Sequence, residues 1–217
     1  MIEKRVTYAL KNVLNEKYFE SQQEWYELLE HDKSGKARII LNVGTTDNIC
    51  VKNYDSIPIW EILREGKKFH IRKRIDHFIL RKNSGIWELH MIEIKKTVRD
   101  NVWQDIKFQM SASYLTIKAL LTFLGISIVE ENVFAYTAYF EDKMIGNDSA
   151  SEGVTTKVFK TGERLQNPKI EEWDAGFINI LMIDSNGDVY SERLKHTKIK
   201  MNVADNGILE QKFSLPI

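Results

Sequence analysis

The feature that most constrains this chain is a pair of extended segments, Phe69–Arg81 and Ile86–Lys96, separated by Asn83-Ser84-Gly85. Short polar turn residues ending in glycine between two strand-like runs predict a β-hairpin. The hairpin carries chemistry at its open end. Asp76 lies on the first strand and Glu93-Ile94-Lys95 on the second. With a two-residue loop at Ser84-Gly85, Asp76 stands directly opposite Glu93; a loop centred on Asn83-Ser84 makes the two a diagonal pair. Either even-length loop leaves both carboxylates on one sheet face, because side chains alternate with period two. Lys95 shares that face, and the rest of it is Phe78, Leu80, Trp87, Leu89 and Met91. Two acids and one base therefore end an otherwise apolar surface.

Carboxylates held this close repel, and burial makes their charged forms costly. A divalent cation relieves both penalties by accepting an oxygen from each acid. The lysine adds a donor that can hold or deprotonate a water beside such a cation. These residue types in this pattern suit attack on a phosphodiester. The tripeptide alone carries no weight, since Glu-x-Lys occurs four times, at 65–67, 93–95, 141–143 and 210–212. Of these, the one at 93–95 ends an apolar strand, follows a hairpin and faces an aspartate.

Asp76 with Glu93-Ile94-Lys95 resembles the signature of the PD-(D/E)XK nuclease superfamily, which includes restriction endonucleases, Holliday-junction resolvases and recombination exonucleases. The resemblance spans residues 20–140. It implies a restriction-endonuclease-like core of the α/β (α+β) class, a central mixed β-sheet flanked by helices. It also implies metal ligation by Asp76 and Glu93, Mg²⁺ as cofactor with Mn²⁺ as a substitute, Lys95 orienting the attacking water, and DNA as the nucleic-acid partner. Restriction, repair, phage-defence and mobile-element roles all fit it. The pattern departs at Ile75, where the name-giving proline would stand. An upstream glutamate of the family could match Glu24, Glu27, Glu61 or Glu65, and nothing selects among them. Gln109 matches the glutamine of the exonuclease branch, but Tyr114 follows five residues later instead of four. The alternative from another class is a module of the same fold that grips nucleic acid or protein without cleaving.

Around the hairpin, residues 2–31 read as helix, with a break near Asn15. Strands follow at 37–43 and 49–52, then a helix over 57–65 with Pro58 in its first turn. Asp100 is placed to cap a long helix, 101–124, which Gly125 ends. A strand region covers 126–140 and a polar loop 141–153. Strands are expected at 154–160, 177–183 and 189–195, the last two joined by a turn at Asp184-Ser185-Asn186-Gly187. The division is a nuclease-like core at 1–150 and a β-rich C-terminal extension at 151–217, packed on the core as one structural unit.

A basic run, Arg64, Lys67, Lys68, His70, Arg72, Lys73 and Arg74, enters the hairpin, and Lys96 and Arg99 follow it. Arg72, Arg74 and Lys96 are candidates for phosphate contact, against a strand merely protected by charge. Gln109 is either a support for water or phosphate or a surface amide. Trp103 reads as core, and His77 and His90 fall on the hairpin's other face as structural histidines. Cys50, the one cysteine, reads as a packed thiol and excludes an internal disulfide or a Cys-rich zinc site.

The 31 basic and 31 acidic residues cancel, so any nucleic-acid contact must come from a local patch. No apolar run approaches the ~18 residues needed to span a bilayer, and the start of the chain reads as an amphipathic helix, so a cytoplasmic protein without membrane contact is expected. Apolar residues of the last third, among them Trp173, Ile178 and Ile180, need a cover. With two cuts required on a duplex, that need leads to the expectation of a homodimer.

Overall fold

The computed structural model describes residues 3–12, 15–32, 35–57, 73–144, 172–183, 186 and 188–216. In chain order the main elements are α1 (Lys4–Asn12), β1 (Phe19–Ser21), β2 (Trp25–Asp32), β3 (Gly35–Asn42), β4 (Asn48–Val51), β5 (His77–Asn83), β6 (Ile86–Val98), α2 (Asp100–Leu124), β7 (Val133–Asp142), β8 (Phe177–Ile183), β9 (Val189–Lys200), β10 (Asn202–Val203) and β11 (Leu209–Ser214). The helix expected over 57–65, the strand at 154–160, Glu61, Glu65 and the basic residues from Arg64 to Arg72 lie outside the described residues, apart from Ile57.

The hairpin of β5 and β6 is the centre of the molecule. Its register pairs His77 with Ile92 and Asn83 with Ile86, which fixes the two-residue loop Ser84-Gly85. Both loop residues have positive φ, 49° and 87°, the conformation a tight turn matching strand twist requires. A seven-stranded mixed sheet is built around this pair in the order β1-β4-β5-β6-β7-β9-β8, and a four-stranded mixed sheet has the order β10-β11-β3-β2. β6 and β7 run parallel, as do β7 and β9. The chain is therefore mixed α/β and mostly strand.

Alternation along the hairpin sorts its side chains into two cores. Phe78, Leu80, Trp87, Leu89 and Met91 join Trp103, Ile106, Met110 and Ile117 of α2 in one. Ile79, Ile92 and Ile94 join Tyr26, Leu28, Ile39 and Leu41 of the smaller sheet in the other. Helices thus cover one face of the large sheet, while the second sheet covers the other, a difference from the helix-flanked arrangement expected. Among the described residues no helix is long and apolar enough to cross a membrane.

The first 31 residues correct the sequence reading. Among the described residues the α-helix covers Lys4–Asn12, a 3-10 turn follows at Glu16–Tyr18, and Phe19–Ser21 and Trp25–Asp32 are strands. Trp25, Leu28 and Leu29 fit a helical period, but the true pattern has period two. Tyr26 and Leu28 are buried, whereas Trp25 and Leu29 are 48% and 37% exposed. The adjacent leucines conceal the alternation, and pairing with β3 supplies the burial that decides it.

The C-terminal strands are woven into both sheets. β9 lies beside β7, and β11 runs parallel to β3. Trp173, Ile178 and Ile180 are fully buried within the chain itself, so these three side chains have their cover without a second subunit.

Helix α2 begins after Arg99 in extended conformation, and Asp100 is its first residue instead of its cap; an acid there favours the helix dipole. The other end is stopped by Gly125 at φ 69°, whose N–H meets the carbonyls of Leu121 and Thr122, while Ile126 N–H reaches Leu121 at 3.0 Å. A Cβ at Gly125 would collide with the side chain of Arg5 on α1. Gly125→Ala should therefore lower stability by about 1 kcal/mol, or ~2–4 °C in Tm for a chain of this size, measured by thermal denaturation. An unchanged Tm would contradict this account of the helix end.

Candidate active site

β5 stops at His77, one residue short of Asp76, while β6 continues to Val98. Beyond Ile92, β6 is paired with β7 but its other edge has no partner strand, and there Asp76 Oδ2 accepts the Ile94 N–H at 2.7 Å. In return, the Asp76 N–H donates to Glu93 Oε2 at 3.2 Å. Lys95 places its ammonium on Glu93 Oε1. The three residues expected to act together are thus joined at one open strand end. Asp76 is 4% exposed and Glu93 not at all, whereas the Lys95 side chain is 28% exposed and forms the way out.

Helix α2 fixes this segment from the side. Gln109 donates its amide to the Arg74 carbonyl at 3.0 Å, and its proximity helps to lower the Glu93 pKa against the effect of burial. One turn on, Ser113 Oγ accepts the Ile75 N–H at 2.9 Å. Ser113 escaped the sequence reading; its spacing of four from Gln109, on the same helix face, is the signal that could have found it. Tyr114 is buried elsewhere, with its hydroxyl on Glu130 at 3.3 Å, so the glutamine half of that motif reaches the site and the tyrosine half does not.

A second residue was missed. Glu30, inward-facing on β2, is close enough for its charge to act on both Asp76 and Lys95. It continues the alternation of Tyr26 and Leu28, a signal hidden while this stretch read as helix. Glu24 and Glu27 are exposed, and Glu27 pairs with Arg38.

The basic candidates divide. Arg74 is turned inward, its guanidinium donating to the carbonyls of Asp55 and Ile57, both at 2.6 Å, and lying over the Tyr54 ring; it is committed to the fold, a different task from the phosphate contact expected of it. Lys73 pairs with Asp105 on α2. Lys96 sits on the opposite face of β6 from Lys95, beside Ile94, so it does not extend the site's own face. Arg72 lies outside the described residues. His77 and His90 are fully buried; His77 Nδ1 accepts the Asn53 N–H, and His90 contacts Tyr136 and Glu88. Trp103 and Cys50 are core residues.

Burial is the largest influence on both acids. It drives Asp76 well above the ordinary carboxylate range, with the charge of Glu93 adding to it, and it raises Glu93 despite Lys95. Burial opposes the Lys95 charge, but Glu93 and Asp76 more than offset this and hold the ammonium above its usual range. Lys95 is consequently a donor, not a base. Among the described residues no three His, Cys, Asp or Glu side chains group closely enough to enclose a metal. The donor set nevertheless suits Mg²⁺, a hard cation commonly held by one or two carboxylates while keeping several waters. No protein-family model, curated protein or solved structure matches the chain at a significant level.

An acid whose pKa is raised on folding contributes stability that is present below its unfolded value, 3.8 for Asp76, and is lost as pH rises through the folded value. Asp76→Asn removes this dependence. The variant's Tm, relative to wild type, should climb by a few degrees between pH 4 and neutrality in EDTA. The buried histidines titrate alike in both proteins and cancel. A Tm difference that stays flat or falls with pH would refute the buried-acid account.

Proposed function

We propose that the chain is a Mg²⁺-dependent nuclease that hydrolyses phosphodiester bonds in DNA. The observation that carries this reading is the joining of Asp76, Glu93 and Lys95 at one strand end, with Gln109 of α2 bonded to the Arg74 carbonyl beside it. In this reading the chain is built on the restriction-endonuclease-like plan, and Asp76 and Glu93 hold the metal through carboxylate oxygens. When bound, Mg²⁺ supplies charge stabilisation at the phosphoryl group and a water of lowered pKa.

The chain's own residues do the rest. Asp76 and Glu93 lose the protons that burial favours, and their charge is then matched by a cation. Lys95, kept as ammonium by its two acidic neighbours, orients the attacking water by donating to it and offers positive charge to the phosphate oxygens. Gln109 acts as a positioning residue: its amide holds the Arg74 carbonyl and so fixes the backbone that leads into Asp76.

A second reading, a binding module, draws on the Lys95–Glu93 ion pair, which already neutralises one buried acid without a metal. Metal titration separates the two. A nuclease should show Mg²⁺ or Mn²⁺ binding heat that disappears in Asp76→Asn, and the module should show none.

Incubation with supercoiled, linear and single-stranded DNA, and with RNA, in Mg²⁺ tests the activity. Asp76→Asn and Glu93→Gln should reduce cleavage below detection, and Lys95→Ala by about 10²–10⁴-fold, all with native circular dichroism. Gln109→Ala should lower kcat about tenfold with KM little changed, by loosening the backbone that leads into Asp76 and not the substrate. Wild-type turnover in purified Asp76→Asn or Glu93→Gln would end the assignment.

A further inference from the structure

Strand β6 presents the site on one face and a cavity on the other. Glu93 and Lys95 point toward α2, whereas Ile94 and Lys96 point between the two sheets into a cavity of about 230 Å³. Its floor is Ile94 and Leu209, Phe140 forms an aromatic side, and Val203, 57% exposed, stands at the mouth. Lys36, Lys96 and the acidic Glu30 are among its lining residues. Lys200, exposed, lies over the Phe140 ring. Ile94 and Lys96 alternate along β6 with Glu93 and Lys95, so cavity and site lie at the same end of the strand.

We infer that this cavity receives one unpaired nucleobase bearing an exocyclic amine, cytosine above all, from the strand whose phosphate lies at Asp76, Glu93 and Lys95. The inference rests on the nuclease reading for its substrate and on separate residues for its chemistry. The cavity is smaller than the ~300–1,000 Å³ of sites for drug-sized ligands, which suits a single ring system. An aromatic side and an aliphatic floor accept the faces of a base. Lysines at the margin suit the flanking phosphates. The wall carboxylate accepts from the N4 amine of cytosine and repels the O4 of thymine; with two oxygens it can do so alongside a partner within the protein. The substrate class that follows is single-stranded or locally opened DNA, because a paired base cannot leave its stack without an energetic penalty.

The test is a methyl and aromatic NMR titration of the full chain in EDTA with dCMP, dTMP and inorganic phosphate. We expect dCMP to shift Ile94, Leu209 and Phe140, and to bind about tenfold more tightly than dTMP. Val203→Trp, a change at an exposed position that fills the mouth, should abolish these shifts, and Lys36→Ala should weaken dCMP several-fold. Dispersed amide spectra confirm that each variant is folded. Equal shifts from inorganic phosphate alone, or wild-type dCMP binding in both variants, would overturn the inference. Metal-dependent cleavage with no dCMP effect on the cavity residues would remove the pocket and leave the nuclease. Seating of dCMP without cleavage of any substrate would remove the nuclease and leave the pocket.

Discussion

Two carboxylates buried against each other at the end of a hairpin set the terms for the rest of this molecule. Neither Asp76 nor Glu93 has enough water to stabilise its charge, and each is held by the other's strand: one accepts from Ile94, the other from Asp76 itself. Such an arrangement is costly in an isolated hairpin. It persists because the strands on both sides, α2 on one face and the smaller sheet on the other, bury the remainder of the hairpin thoroughly. The apolar cores carry the stability, and the polar end draws on it. Acids whose charge is penalised by burial and by a like-charged neighbour cluster at functional sites.

The helix does more than cover. Gln109 and Ser113, one turn apart, grip the backbone from Arg74 to Asp76 just where strand pairing fails. Arg74 anchors the same stretch from beneath by filling the carbonyls of Asp55 and Ile57. Gln109 and Ser113 therefore take up the backbone groups of Arg74 and Ile75, the Asp76 carbonyl accepts the Tyr54 N–H at 2.6 Å, and the aspartate is fixed although it belongs to no strand. A single-residue slip of the hairpin would turn Glu93 and Lys95 toward the smaller sheet, away from Gln109. The Ser84-Gly85 turn and the α2 grip specify the same register from opposite ends.

The legible parts of the sequence are those governed by short-range rules. The hairpin, its shared face and the long helix ending at Gly125 follow from turn chemistry and periodicity, and so does the meeting of Asp76, Glu93 and Lys95. What escaped depends on distant pairing. β2 was concealed because Leu28 and Leu29 stand together, and only the partner strand β3 decides which is inside. That error also hid Glu30, whose relation to the site exists only once β2 is a strand in a second sheet. Arg74 illustrates the reverse case: a basic residue next to Asp76 reads as a phosphate contact, but unmet carbonyls nearby claim it first. The comparative order of demand, buried backbone before solvent-facing ligand, is invisible in the one-dimensional pattern.

The alternation of β6 also governs how substrate could approach. Consecutive residues of this strand serve different compartments, with Glu93 and Lys95 on the helix side and Ile94 and Lys96 on the sheet side. The Ile94 backbone links them, since its N–H holds Asp76 while its side chain floors the cavity. In the proposed nuclease reading, a base seated on Ile94 would bear on the residue whose N–H positions the aspartate, so occupancy of the cavity and geometry of the carboxylates would be joined through one peptide unit. Glu30 adds an electrostatic link across the same strand end. On that proposal the acids would align best when one continuous strand fills both compartments, and binding energy from a neighbouring nucleotide would become available at the phosphate.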